Sequence, residues 1–289
     1  MTVQLFAVEA SGPRALAVPA AARHAHELFD GLELGVYSAL RTFGHERFLG
    51  LERHFERTDR SLELLGSRER LPSERLARAI ASSVRAYPAR EAFVRFDLLT
   101  APARKFDSEE RCLLALSPLV PVPEALLEHG VTVQRSPLRR ARPLIKVARF
   151  VVERRPYPLG TREAYEHLIL DESGRILEGT SSNFLAIRNG RLHLCGDEAL
   201  QGITQHFVAE LAGALGLECV RDPVALSELP TLDEAFLTGS TRGIVPVAAV
   251  ETQPIGNGSV GPWTRRLRSA YDEYARAHAR SALAAVPSS

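Results

Sequence analysis

Leu177-Glu178-Gly179-Thr180-Ser181-Ser182-Asn183-Phe184 places a carboxylate at the end of an apolar run, then a turn of small polar residues, then a return to apolar residues. Around it, residues 167–171, 175–178, 183–188 and 191–195 are short, β-rich and bounded by turn formers, so the spacing predicts four strands in succession. Asn189-Gly190 supplies a type I′ hairpin turn between the last two. Further along, Ile203, Phe207, Leu211 and Leu215 recur at helical spacing and Gly216 stands where such a helix would end. Residues 234–238 and 244–250 read as strands flanking Gly239-Ser240-Thr241-Arg242-Gly243, and residues 262–276 as a final helix.

The first half alternates strand and helix signals. Residues 34–43 are β-rich and, with a turn at Gly44-His45-Glu46 and a return over 47–49, predict a hairpin. In residues 51–65, LERHFERTDRSLELL, the spacing of Leu51, Phe55, Thr58, Leu62 and Leu65 predicts an amphipathic helix closed by Gly66. A second helix is expected from Pro72 to near Pro88, and strands over 92–100 and 111–116. Residues 117–123 hold three prolines and read as a linker. The expected fold is therefore α/β (α+β): a small domain over 1–117, a loop over 118–125 and a larger domain over 126–289.

The 289 residues are 45% hydrophobic and 25% charged, an ordinary globular composition, and the net charge of +1 provides no field for holding a polyanion. Nucleic acid is therefore not expected as a partner. Cys112, Cys195 and Cys219 are odd in number and far apart, which suits neither a disulfide framework nor a metal clip. No apolar run approaches the roughly 18 residues of a membrane span, and residues 1–9 lack a basic leader region, so a cytoplasmic protein is expected. The nine histidines show no zinc spacing, and no metal is expected. Gly256-Asn257-Gly258-Ser259-Val260-Gly261 matches a dinucleotide fingerprint in letters, but too little chain follows to complete the unit. It reads as a glycine-rich turn.

Of 36 basic residues only Lys105 and Lys146 are lysines. Arginine replaces lysine as a surface cation, but not as an amine that forms a Schiff base or transfers a proton near neutral pH. Lys105 lies in a charged loop, whereas Lys146 lies among Pro143, Leu144, Ile145, Val147 and Ala148, where an ammonium is costly to bury. Other residues would suit a phosphorylated ring-nitrogen ligand. Gly202-Ile203-Thr204 sets amides and a hydroxyl at a helix N-terminus, and Gly239-Ser240-Thr241 offers a second polar turn. Arg57 is either the matching cation or a solvated arginine. Glu178 either faces a ring nitrogen or caps the turn behind it. His54, mid-helix, reads as a packing residue.

Residues 51–65, Ile145-Lys146, residues 177–184, Gln201-Gly202-Ile203-Thr204 and residues 236–241 through Pro246-Val247 together resemble the fold-type IV (class IV) pyridoxal-phosphate aminotransferases. The resemblance implies a small α/β domain and a larger one with a β-barrel-like core, pyridoxal 5′-phosphate as cofactor, and a homodimer. It implies Lys146 as the Schiff-base lysine and Glu178 as the partner of the pyridine nitrogen. It further implies cofactor contacts from Arg57, Ser181, Ser182, Asn183, Leu200, Gly202, Ile203, Thr204, Gly239, Ser240 and Thr241.

The substrates implied are an amino acid and a keto acid such as 2-oxoglutarate or pyruvate. Val151 stands where branched-chain enzymes usually carry a tyrosine, which argues against that subgroup; a D-amino acid donor is expected. Ala101-Pro102 replace the arginine by which many D-amino acid transaminases hold the substrate carboxylate. Tyr37, Arg95 and Arg242 are the candidate substrate residues. Arg95 otherwise pairs with Asp97 or another acid, and Arg242 otherwise turns to solvent. A lyase, a branched-chain aminotransferase and an (R)-amine transaminase are alternatives on the same fold, and a non-catalytic vitamer-binding protein is the reading from another class. Pro156 and Pro158 interrupt the helix expected after the lysine.

Overall fold

A computed structural model describes residues 2–161 and 164–286. The chain divides into two compact units. The first takes in the residues through Val120, then Ile145–Val151 and the stretch from Ala275, and the second takes in Pro121–Leu144 and Val152–Tyr274. The chain first changes unit within the proline-rich stretch. The expected linear division differs in that residues 145–151, with Lys146, and the C-terminal stretch belong with the N-terminal residues.

The first unit is built on β1 (Gln4–Glu9), β2 (Gly12–Leu16), β3 (Val36–Arg41), β4 (Arg47–Phe48), α1 (Leu51–Leu64), α2 (Ser73–Ala86), β5 (Ala92–Leu98) and β6 (Cys112–Pro118). Five strands form an antiparallel sheet in the order β2-β1-β6-β5-β3. Because side chains alternate along a strand, β5 sends Val94, Phe96 and Leu98 to one face and Phe93, Arg95 and Asp97 to the other. The first face packs with Val36 and Leu40 against α1 and α2. The second packs with Leu5, Leu113 and Ala115 against Leu28, Phe29 and Phe106.

The helix α1 buries Leu51, Phe55, Thr58 and Leu62 of the stripe that its spacing predicts, with His54 and Ser61 beside them, while Leu65, just past its end, is exposed. It closes as expected at Gly66, whose φ of +80° lets the Ser67 amide turn back 3.0 Å to the Leu62 carbonyl. The predicted hairpin at 34–49 is reduced to one bridge between Phe43 and Arg47. Two residues of β4 are too few for a ladder, and they pair instead with a C-terminal strand introduced below.

The second unit contains α3 (Glu124–His129), β7 (Val131–Arg135), β8 (Glu166–Leu170), β9 (Ile176–Gly179), β10 (Asn183–Arg188), β11 (Arg191–His193), α5 (Ile203–Ala214), β12 (Glu218–Val220), β13 (Glu234–Gly239), β14 (Gly243–Val250) and β15 (Gln253–Pro254). Between β7 and β8, α4 (Arg149–Glu153) is a single short helix that ends before Pro156 and Pro158, as proline chemistry requires. The last helix, α6 (Pro262–His278), leads to β16 (Arg280–Ser281), the partner of β4. The sheet runs β12-β11-β10-β13-β14-β7-β8-β9 with β15 beside β14, and β9 also lies against β10, so the sheet curls into a half-barrel. Asn189 and Gly190 both take positive φ, the type I′ turn that the sequence predicts. Gly256 and Gly258 likewise sit in a turn before α6.

No helix among the described residues is long and apolar enough to cross a membrane. Among the described residues no three His, Cys, Asp or Glu side chains gather as a metal site.

Candidate active site

In the first unit, Lys146 follows the free edge of β3. Its carbonyl accepts the Tyr37 amide at 3.2 Å, the Ala148 amide donates to the Gly35 carbonyl at 2.8 Å, and Val147 bridges Val36. The Lys146 amide in turn donates to Ser61 Oγ on α1 at 3.2 Å. The segment is thus held on two sides, and it covers an edge that would otherwise expose unpaired backbone. The half-buried lysine lays its Nζ over the Tyr37 ring, 4.9 Å from the centroid. This brings two of the expected residues, Lys146 and Tyr37, into contact.

Arg57 is half-buried and donates from Nη2 to Ser38 Oγ at 2.9 Å, so it turns onto the sheet. Beside it His54 is fully buried, with Nδ1 2.7 Å from the same hydroxyl. Burial, and then the neighbouring charges of Arg57 and Lys146, push His54 well below its ordinary value, so the ring is neutral. Ser38 and His54 were not legible as functional. The available signal was a serine on the buried side of an alternating strand and a histidine on the apolar stripe of a helix.

Arg95 is 2% exposed and forms a two-pronged pair with Asp97, Nε to Oδ2 and Nη2 to Oδ1 both at 2.7 Å. Its guanidinium is stacked 3.9 Å from the Phe29 centroid and 4.7 Å from that of Tyr37. Burial works against the charge of Arg95, but the Asp97 charge and hydrogen bonds outweigh it and raise the arginine above its ordinary value. The alternative expected for Arg95, an ion pair with Asp97, is present: a spacing of two along one strand puts both side chains on the same face, where each satisfies the other's charge.

In the second unit, Glu178 lies at the end of β9 with its side chain buried, and the Arg140 guanidinium donates to its Oε1 at 3.1 Å. No sequence signal singled out Arg140 from its neighbours in Arg139-Arg140-Ala141-Arg142. The turn behind Glu178 is gathered by a different acid, Glu166, at the start of β8. Its fully buried carboxylate accepts from Thr180 Oγ1 at 2.6 Å, from Ser182 Oγ at 3.1 Å, from Ser181 Oγ, and from Arg242 Nη2 at 3.1 Å. Arg242 also donates to Ser181 Oγ at 2.7 Å. Arg242 is therefore turned inward rather than to solvent, and it ties the β13–β14 hairpin turn, which contains Ser240 and Thr241, to the 180–182 turn.

Asn183 donates from Nδ2 to the Leu200 carbonyl at 2.8 Å, and its Oδ1 lies where a Cβ on Gly202 would come within 1.8 Å. Only glycine permits this approach. The contact sets the start of α5, whose first amides, at Ile203 and Thr204, have no intrahelical acceptor and point out of the helix N-terminus. Ser181, Ser182, Asn183 and Leu200, expected at the cofactor, have structural partners of their own here.

The first unit offers one lysine amine and an arginine, and the second a buried carboxylate, a helix N-terminus and a hydroxyl turn. These are the residue types that a phosphorylated pyridine requires of its amine, anion and ring-nitrogen partners. A family model described as amino-transferase class IV matches residues 35–250, most of the chain. The chain belongs to the class IV aminotransferases. This aminotransferase is 28% identical over 257 residues, 83% of its length and 86% of the relative's, to a Methanocaldococcus jannaschii protein provisionally named a branched-chain-amino-acid aminotransferase. Among solved structures it resembles a Thermotoga maritima protein described, again provisionally, as a branched-chain amino acid aminotransferase. The TM-score is 0.75 at 25% identity, over 94% of this chain and 95% of that one. It also shares its fold with the branched-chain aminotransferase of Thermobaculum terrenum solved in its PLP form, with a TM-score of 0.75 at 22% identity over 96% and 98% of the two chains. The fold-type IV architecture expected from the sequence is the observed one.

Proposed function

We propose that this class IV aminotransferase moves the amino group of a branched-chain amino acid to a 2-oxo acid such as 2-oxoglutarate or pyruvate, with pyridoxal 5′-phosphate as cofactor. The similarity over 83% of the chain to a relative of that name carries the reading. The cofactor, when bound, supplies an electron sink for the negative charge that develops at the substrate Cα. Lys146 is the amine that holds it and then carries a proton to and from that carbon. Glu178, with Arg140 behind it, keeps the ring nitrogen protonated. The α5 amides at Ile203 and Thr204, the hydroxyls of Ser240 and Thr241, and Arg57 bind the phosphate.

The expected D-amino acid donor had two candidate arginines for the substrate carboxylate, and Arg95 is paired with Asp97 and Arg242 with Glu166. The similarity to relatives named as branched-chain aminotransferases does not support that donor. The missing tyrosine at Val151 is one position in a shortened helix, and it weighs less than likeness along the whole chain. A homodimer belongs to the same proposal and is checked by sedimentation.

The test is a donor screen at fixed 2-oxoglutarate and then pyruvate. L-Valine, L-leucine and L-isoleucine are expected to exceed D-alanine, D-glutamate and an (R)-amine at least tenfold in kcat/KM. A preference for any of the latter three overturns the donor assignment, and product release that needs no amino acceptor points to a lyase. Lys146→Ala is expected to abolish turnover.

A further inference from the structure

Ser38 lies between Val36 and Leu40 on the face of β3 that packs against α1. A hydroxyl there is costly unless it is hydrogen-bonded. Both of its contacts are polar: Arg57 Nη2 at 2.9 Å and His54 Nδ1 at 2.7 Å. A guanidinium can only donate, so the hydroxyl accepts from Arg57, and a second hydrogen bond joins it to Nδ1. A histidine with no exposed surface beside two cations is held neutral. Arg57, Ser38 and His54 thus form one hydrogen-bonded chain.

The same helix face continues to Ser61, whose hydroxyl donates to the Arg57 carbonyl at 2.8 Å and accepts the Lys146 amide. Arg57 is therefore tethered at its head by Ser38 and at its backbone by Ser61. An arginine side chain carries large rotamer entropy, and a fixed head has lost part of it before any ligand arrives.

We propose that Ser38 and His54 are positioning residues that hold the Arg57 guanidinium in one orientation for the phosphate of the cofactor. This rests on the reading of Arg57 as a phosphate ligand. It separates the pair from a merely structural one, because only a phosphorylated ligand feels the orientation of Arg57.

The experiment titrates cofactor-free protein with pyridoxal 5′-phosphate and, separately, with pyridoxal, following fluorescence. Ser38→Ala and His54→Phe are each expected to weaken pyridoxal 5′-phosphate about tenfold, the scale of one hydrogen bond, while changing pyridoxal less than twofold. His54→Asn, whose side-chain amide can bond the Ser38 hydroxyl in place of Nδ1, is expected to restore most of the loss. Arg57→Leu is expected to lose more than either. Ser38→Ala removes one oxygen from a strand and so keeps the test independent of whether His54→Phe folds. If Arg57→Leu is selective for the phosphorylated ligand but Ser38→Ala weakens both ligands alike or neither, the positioning role is overturned and the phosphate reading stands. If Arg57→Leu shows no selectivity, the phosphate reading falls and the inference falls with it.

Discussion

The Arg140 guanidinium donates to Glu178 Oε1 across 3.1 Å with both side chains buried, so the carboxylate at the end of β9 is held by a cation from the segment that follows β7. A charge-assisted bond between buried groups fixes the direction of the carboxylate as well as contributing energy. Truncating one partner leaves the other charge in low dielectric. Arg140→Leu is therefore expected to cost about 3 kcal/mol in denaturant unfolding. Arg140→Lys, which keeps the charge but not the fork, should recover part of it. Stability of Arg140→Leu within 0.5 kcal/mol of wild type, on the order of a surface change, would contradict the pair's importance.

The Arg95–Asp97 pair makes a contrasting forecast. Asp97→Asn leaves a guanidinium buried against Phe29 and Tyr37 and should destabilise by about 3–5 kcal/mol. Replacing both residues, Arg95→Met with Asp97→Leu, should recover most of that, because no charge is then left uncompensated. In the variant that survives, the ratio of kcat/KM between branched-chain and acidic donors should be unchanged. A selective rise in KM for acidic donors would return Arg95 to the substrate.

Glu166 sets an acid limb on stability. Burial alone would raise its carboxyl, but the Arg242 charge, the Ser181 and Thr180 hydrogen bonds and the Arg154 charge together lower it below its ordinary value of 4.5. A carboxyl whose folded value lies below its unfolded one stabilises above the unfolded value and loses that contribution as the pH falls through the folded one. Glu166→Gln should therefore be less stable than wild type at neutral pH, with the gap narrowing once the pH drops below about 4.5. Urea titrations of both proteins from pH 7 to pH 3 measure it, and a gap that stays constant or widens on acidification contradicts the assignment.

The three thiols should differ in reactivity. Burial pushes Cys112 and Cys195 up to about 12, and Cys195 also donates from Sγ to Gln205 Oε1 at 2.7 Å. Cys219 is half-buried and raised by burial as well. Because the thiolate is the reacting form, a thiol reagent at pH 8 should label at most Cys219 in the native protein and all three after unfolding. Rapid native labelling of Cys112 or Cys195, read by peptide mapping, would overturn this.

The elements whose local signals agree were legible without a structure. Residues 51–65 combine an apolar stripe with a closing glycine, and Asn189-Gly190 dictates its own turn, because periodicity and turn chemistry act over a few residues. The resemblance carried by Lys146, residues 177–184 and residues 201–204 led to the family for a similar reason: a Schiff base, a ring-nitrogen carboxylate and an anion-binding helix start each demand particular residue types. Partnerships among charges were only partly legible. The pairing of Arg95 with Asp97 was one of two readings, but nothing pointed Arg242 to Glu166 or Arg140 to Glu178, because a guanidinium in a sequence is the same whether water or a buried carboxylate receives it. The return of residues 145–151 and the C-terminal stretch to the first unit was equally hidden, since linear composition cannot show which sheet edge a distant segment covers. Local spacing determined the elements, and the resemblance of a few short segments the class of chemistry. Tertiary structure alone decided which acids neutralise which arginines, because burying a charge is tolerable only where the fold supplies its partner.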